Sequence, residues 1–306
     1  GCSGAPASPR QAEADSPATR IRLRKETGTM RMAVRNVAGS GKLCADDEQY
    51  HVAIRNPANA KRFIKAHETH YAPWVQRLVE EAPLHLDRGQ RLPLPEPDDR
   101  LLSMPVGRAI AKRKSGRVYG EQPLPSVVLS TLLAAALGVR RRSQGGAGGM
   151  LRRNVTNSGN LGSVEAYPIA LRVAEVPPGI YHFDSVHHDL VALHRGRFQT
   201  WLRECVLFQR EFAEAAVAVV LTSAFGRLKA KYGPRGYKLG LFDVGHVSEN
   251  LYLVATALGL EVCATAGFVD EALDRALGLD GLDTATSLVA LIGNPPTRGA
   301  SLQTGG

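Results

Sequence analysis

The chain is short of the features that mark several protein classes. Its four cysteines, Cys2, Cys44, Cys205 and Cys263, lie far apart with no C-x-x-C pair. A disulfide scaffold and a thiolate metal site therefore both lack their framework, and reduced thiols in a cytoplasmic protein are expected. The longest weakly polar runs, Pro125 to Val139 and Leu251 to Leu260, fall short of the roughly 18–20 apolar residues that cross a bilayer, so no membrane partner is expected. Walker A, strand-linked G-x-G-x-x-G and G-x-S-x-G motifs are all missing, which removes support for nucleotide hydrolysis, a Rossmann NAD site and serine-hydrolase chemistry. Histidines are present, but His67-Glu68-Thr69-His70 has the wrong order for H-E-x-x-H. His182, His187 and His188 have no thiolate or carboxylate set at ligand spacing, so no metal is expected.

Acid is locally scarce as well. Residues 101–153 carry ten basic side chains (Arg108, Lys112, Arg113, Lys114, Arg117, Arg140, Arg141, Arg142, Arg152, Arg153) and one acid, Glu121, a net of 10 − 1 = +9, which equals the formal charge of the whole chain. The rest of the sequence sums to zero. A basic surface spread over a protein points to nucleic acid, whereas charge confined to one stretch also suits a phosphorylated ligand. Both readings stand on composition alone.

At 306 residues and 44% hydrophobic content, the chain is long enough for one large domain or a main domain with a smaller companion. Residues 1–20 are small and polar and are expected to form a disordered leader. Residues 21–100 read as an N-terminal extension, with helical periodicity only around Asn59 to Glu81, closing on the proline-rich, acidic run Arg91 to Asp99 as a junction. Residues 101–306 have the texture of a main domain. There Met104 to Gly120 predicts a short amphipathic helix ending in a basic turn, and Leu124 to Val139 a buried helix with Pro125 near its start. Arg140 to Gly162 reads as a glycine- and arginine-rich loop. Strands are predicted at Val164 to Ala174, in two pieces over Gly179 to His194, and at Ala215 to Phe225. Helical spacing resumes over Arg197 to Glu214, Gly226 to Lys238 reads as a basic connection, and a long helix follows from about Tyr237 to Leu258, with Gly259 as its cap. A strand at Glu261 to Phe268, a helix at Val269 to Leu279 and a last strand at Thr286 to Asn294 complete an α/β or α+β pattern.

Three short segments carry chemistry. Lys112-Arg113-Lys114-Ser115-Gly116-Arg117 combines charged donors, a hydroxyl and a glycine that lets backbone approach, the inventory a phosphate needs; a solvated basic loop has the same composition. Asn157 to Ser163 is a glycine-punctuated polar loop able to present amides to a flat heteroaromatic ring, though ordinary loops look alike. Lys231 and Tyr232 stand side by side ahead of the long helix. If desolvated, the lysine pKa falls and the pair suits proton abstraction near neutral pH; otherwise they form an exposed basic turn.

K-R-K-S-G-R-V-Y with its following buried helix resembles the opening of the flavin-dependent nitroreductase superfamily, R-R-S-x-R-x-F, departing from it at Lys114 and Tyr119. S-G-N-L-G-S-V-E-A-Y-P-I, P-P-G-I-Y-H-F-D and K-Y-G-P-R-G-Y-K-L-G-L-F-D-V-G-H-V-S-E-N-L-Y-L-V-A-T-A-L-G-L are similar to one branch of it, the SagB-type dehydrogenases. The resemblance runs from about Met104 to Asn294; before it, only Tyr50-His51 is similar to an extension that some members carry. It implies an α+β, three-layer fold with a central, mainly antiparallel sheet flanked by helices, in a homodimer with two FMN molecules at the subunit interface. It also implies that Arg113, Lys114, Ser115 and Arg117 hold the FMN phosphate and ribityl chain, that Ser158 and Asn160 approach the isoalloxazine, and that the backbone of Ala266 and Gly267 lies near its reactive nitrogen. Arg298 is the late cation available to the phosphate.

Lys231 and Tyr232 match the pair implicated in catalysis by the branch, which oxidises thiazolines and oxazolines to thiazoles and oxazoles in ribosomally made peptides. The resemblance thus implies a peptide substrate bearing azoline rings, with a cyclodehydratase as a candidate partner and no nucleic acid. Three alternatives remain on the sequence: an NAD(P)H-dependent nitro- or quinone reductase on the same scaffold, a nucleic-acid-binding module, and a flavin-free binding partner.

Overall fold

The computed structural model describes residues 54, 89–142, 151–206 and 214–297. Nine strands and six α-helices occur among them. The strands are β1 (Arg91–Pro93), β2 (Val139–Arg142), β3 (Leu151–Arg153), β4 (Val164–Ala170), β5 (Gly179–Asp184), β6 (Asp189–Arg195), β7 (Val217–Ser223), β8 (Glu261–Thr265) and β9 (Ala285–Gly293). The helices are α1 (Val106–Lys112), α2 (Ser126–Leu137), α3 (Gln199–Cys205), α4 (Phe225–Tyr232), α5 (Arg235–Ala257) and α6 (Asp270–Leu277).

Strand chemistry sets the layers. In β7, Val217, Val219 and Leu221 alternate with Ala218 and Val220, and every residue of the strand is buried. Side chains of a strand point alternately to opposite faces, so a strand that is apolar on both faces from Val217 to Leu221 needs cover on both. The odd-numbered set packs with α2 and α5 through Leu129, Leu133, Val244, Val247 and Leu251. Ala218 and Val220 pack with α3 and α6 through Trp201, Leu202, Ala272 and Leu273. The result is helix, sheet, helix, with seven strands in the order β1-β6-β5-β4-β7-β9-β8, each pairing antiparallel. The predicted three-layer α+β fold is borne out.

Several local expectations need correction. Met104 to Gly120 is helical only over Val106–Lys112; Arg113 turns out of the helix, and the basic run that follows is extended chain. Arg140 to Gly162 is not loop throughout, because β2 and β3 form an antiparallel ribbon within it. Arg197 to Glu214 is helical over Gln199–Cys205, and residues 207–213 lie outside the described set. Gly226 to Lys238, read as a connection, is the helix α4 and the start of α5. Its apolar side is only Phe225 and Leu228, too short a stripe to register as a helix. The segment read as a junction also contributes β1, whose Leu92 pairs with Leu190, so the sheet reaches into it. The helical periodicity at Asn59 to Glu81 and the leader lie outside the described residues.

α4 and α5 form the hairpin that positions the site, broken at Gly233 (φ 58). Their close approach depends on two small residues. A Cβ on Gly236 would lie 2.6 Å from Leu228 backbone, and one on Gly240 would lie 2.8 Å from the Phe225 ring. Gly240→Ala is therefore expected to lower stability by about 1–3 kcal/mol through overpacking, read as a lower urea midpoint. A variant as stable as the parent would show that the two helices are not packed this way.

Candidate active site

Two groups of residues converge on α5. The first is built on the extended run after α1. Gly116 N–H donates to Val262 O at 2.9 Å, laying the run along β8. Lys114 Nζ pairs with Glu261 Oε1 at 2.9 Å, and the Arg113 guanidinium lies over the Tyr252 ring, 5.6 Å from its centroid. Ser115 Oγ and Tyr252 OH share a hydrogen bond of 3.1 Å, while Tyr252 OH accepts the Ala264 N–H at 2.8 Å. With Tyr252 as donor to it, Ser115 keeps its own proton for a ligand. Lys112, Lys114, Ser115 and Arg117 are exposed and so remain accessible to a ligand. Ala266 and Gly267 follow the far end of β8, where Gly267 N–H donates to Thr265 Oγ1 at 3.0 Å. Burial pushes the Cys263 thiol up, against the nearby positive charge of Arg117.

The second group surrounds the turn Ser158–Asn160. Gly159 (φ 63) and Asn160 (φ 56) are both left-handed, a conformation that glycine and asparagine tolerate. Asn157 Oδ1 accepts Gly162 N–H at 2.9 Å, and Asn160 Nδ2 donates to Leu151 O at 2.9 Å. On one side the turn is held by Asp243 of α5, and on the other by Arg227 of α4, whose Nη1 donates to Leu161 O at 3.1 Å and Gly162 O at 2.6 Å. Arg227 is itself 3.8 Å from Glu165 Oε1. Burial opposes the charged form of Glu165, yet the hydrogen bond from His182 and the charges of His182, Arg153 and Arg227 hold it below the usual carboxylate value.

Lys231 and Tyr232, at the end of α4, press on the same turn. A Cβ at Gly159 would sit 2.3 Å from Tyr232 OH and 2.9 Å from Lys231 Nζ, so no other residue fits between the turn and the pair. Lys231 is 5% exposed; its Nζ lies 5.3 Å from the centroid of the Tyr232 ring and forms no hydrogen bond or ion pair among the described residues. Burial lowers its pKa, because an ammonium without a counter-charge is poorly solvated there. Burial, then the charge of Asp243, raises that of Tyr232.

Ser158, Asn160, Lys231 and Tyr232 are thus brought together, and Arg113, Lys114, Ser115 and Arg117 are gathered on the strand that leads to Ala266 and Gly267. The two groups do not meet within one chain: no hydrogen bond, ion pair or ring contact joins them among the described residues. Their anchors on α5, Asp243 and Tyr252, are nine positions apart (252 − 243), about 14 Å of helix at 1.5 Å per residue. Arg298 lies outside the described residues. Asp243, Arg227 and Tyr252 escaped assignment from sequence. Asp243 was visible as an acid on an apolar helix, Arg227 was hidden in the supposed connection although it stands one helical turn before Lys231, and Tyr252 gave no signal. No cluster of His, Cys, Asp or Glu among the described residues could hold a metal ion, and no described helix is long and apolar enough to cross a membrane.

The profile of the Nitroreductase family matches residues 110–293, and the chain belongs to that family. It is 30% identical over 168 residues to MJ1384 of Methanocaldococcus jannaschii, named as a candidate nitroreductase, covering 55% of this chain and 81% of that protein. The trifolitoxin-processing protein TfxB of Rhizobium leguminosarum bv. trifolii is 30% identical over 135 residues, or 42% of this chain and 36% of TfxB. The microcin B17-processing protein McbC of Escherichia coli is 31% identical over 77 residues, 25% of this chain and 28% of McbC. The chain therefore spans only about a third of either processing protein. Among solved structures, a nitroreductase-type protein from Ralstonia eutropha matches with TM-score 0.56 and 26% identity over 68% of this chain and 90% of its own. The E. coli microcin synthetase McbBCD complex with truncated pro-MccB17 matches with TM-score 0.55 and 18% identity over 85% and 100%, a likeness of fold. MJ1384, TfxB and McbC bear out the family recognised in the sequence, and the last two support its peptide-processing branch.

Proposed function

We propose that the chain is an FMN-dependent dehydrogenase that oxidises thiazoline and oxazoline rings of a peptide to thiazoles and oxazoles. The observation that carries this reading is Lys231: a buried lysine with no counter-charge among the described residues, beside Tyr232, on the turn that the sequence resemblance assigns to a flavin ring. Aromatising an azoline removes one ring proton and one hydride equivalent. The proton needs a base, and a lysine held below its ordinary pKa by burial is suited to that task. Tyr232, held protonated, is suited to donate a hydrogen bond to the ring or to a water between them. Reduction of a nitro group or quinone has no carbon-bound proton to abstract and gives no reason for such a pair. The processing relatives TfxB and McbC lend support by their names.

FMN fits the donors present. Arg113, Lys114, Ser115 and Arg117 offer cations and a hydroxyl around one carboxylate, Glu261, and the close seat of Gly116 brings backbone to the same place; these residues would hold the phosphate and ribityl chain. Ser158, Asn160 and the backbone of Ala266 and Gly267 would border the ring system. When bound, FMN supplies the two-electron acceptor, leaving the protein to orient the ring and take its proton. Because the two donor groups are apart within one chain, we assign the complete site to a homodimer. Leu241 and Phe242, 42% and 51% exposed on α5, are the apolar surface that a second copy would cover. In this reading the main domain takes in β1, and the extension before it contacts the peptide or a cyclodehydratase.

The test is to incubate the FMN-loaded protein with a synthetic peptide carrying one thiazoline. Loss of two hydrogens from the ring by mass spectrometry, without added NAD(P)H, is the expected result. Rapid NADPH oxidation with menadione or a nitroarene, and an unchanged peptide, would favour the reductase reading to which the likeness to MJ1384 lends weight. A colourless protein that takes up no FMN would leave only a binding role.

A further inference from the structure

Asp243 is 1% exposed, on the face of α5 that otherwise buries Gly240, Val244, Val247 and Leu251. It forms no ion pair among the described residues. Its carboxylate instead accepts the Ser158 N–H at 3.0 Å on each oxygen, the Ser158 hydroxyl at 2.9 Å and the Ser163 hydroxyl at 2.6 Å. A buried charge satisfied by neutral donors is a costly way to fill a helix face that valine or leucine would fill better. Its effect falls elsewhere. Both serines belong to the loop whose Gly159 touches Lys231 and Tyr232, so fixing the loop fixes the surface on which the pair rests.

We propose that Asp243 is the positioning residue of the site: it locks the Ser158–Asn160 turn against Lys231 and Tyr232. This rests on the site assigned above but not on the identity of the substrate. Among the described residues, the charges that face Tyr232 are Lys231, next to it on α4, and Asp243 on α5, while Arg227 and Glu165 bear on the far side of the loop. Burial raises the Tyr232 pKa and the charge of Asp243 adds to it, so the expected result of removing that charge is ionisation at lower pH.

Asp243→Asn in the full chain keeps the shape and removes the charge. Ultraviolet difference titration, with the spectrum of a Tyr232→Phe protein subtracted, is expected to show Tyr232 ionising at lower pH than in the parent. FMN release is expected to be faster by about tenfold or more, the scale of a lost hydrogen bond to a charged group. Asp274→Asn is the control, since Asp274 is also buried and accepts Thr286 N–H at 2.7 Å but lies outside the site. It should lose stability and leave the Tyr232 titration and FMN release alone. If the two asparagine variants behave alike, losing stability only, Asp243 is structural and the proposal fails. Should Asp243→Asn not fold, Ser163→Ala removes one tether and keeps the charge; FMN release unchanged from the parent would overturn the proposal equally. Both readouts remain decisive even if the parent oxidises no azoline ring.

Discussion

Lys231→Ala is expected to lower ring oxidation by about 10²–10⁴-fold, the span that a positioned general base contributes, while FMN stays bound. The reason is geometric: Lys231 reaches the turn at Ser158–Asn160 and none of the cations proposed to hold the phosphate, so its loss should remove a proton acceptor and spare cofactor binding. Lys231→Met fills the space without an amine and should fail as completely, which separates the lost base from a cavity that admits water. In the parent, the rate should climb with pH as Lys231 loses its proton and level off above its pKa, which burial has moved below the ordinary lysine value. Stability follows the same direction. Between that lowered pKa and 10.5 the unfolded chain binds more protons than the folded one, so the folded state gains as pH rises through that window. Single-turnover oxidation followed by mass spectrometry across pH checks both; wild-type rates in the two variants would remove Lys231 from the mechanism.

The second large effect concerns the cofactor. Arg113→Ala with Arg117→Ala removes two charge-assisted donors from the run along β8. At about 1.5–3 kcal/mol for each hydrogen bond to a charged group, FMN affinity is expected to weaken by roughly 10²–10⁴-fold. Flavin fluorescence titration measures it. Arg108→Ala makes the comparison: this exposed residue of α1 adds to the same basic window but stands outside the motif, and its loss should leave affinity nearly unchanged. Equal weakening in both proteins would mean that the window acts through net charge alone. Undiminished affinity in the double variant would move the phosphate site elsewhere.

How much of this was legible depends on the range of the interactions. β7 could be read because a strand buried on both faces carries an unbroken apolar run, here Val217 to Leu221. The buried stripe of α5, Val244, Val247, Leu251 and Ala255, could be read because its spacing is local. α4 could not, since its buried side includes Lys231, which composition counts as polar, and its ends carry Gly226, Gly233 and Pro234. The clamp on the Ser158–Asn160 turn was beyond reach for a different reason. Asp243 and Ser158 are 85 residues apart in sequence, and no periodicity connects an acid on one element with a serine on another. Lys231 and Tyr232 were recognised by resemblance, whereas their contact with Gly159 came only from the fold.

The position of β9 bears on how such a chain is made. It is the last described strand to be synthesised, yet it lies inside the sheet, with β7 on one side and β8 on the other. A nascent chain can complete its helices early, but β7 must wait some sixty residues, from Ser223 to Ala285, for its second neighbour. Until then Val217–Ser223 is an uncovered apolar edge, the kind of segment that recruits other chains into aggregates. Assembly therefore cannot proceed strand by strand from the N-terminus. The sheet is completed only when β9 arrives, and until then the edge of β7 is open to pairing with other chains.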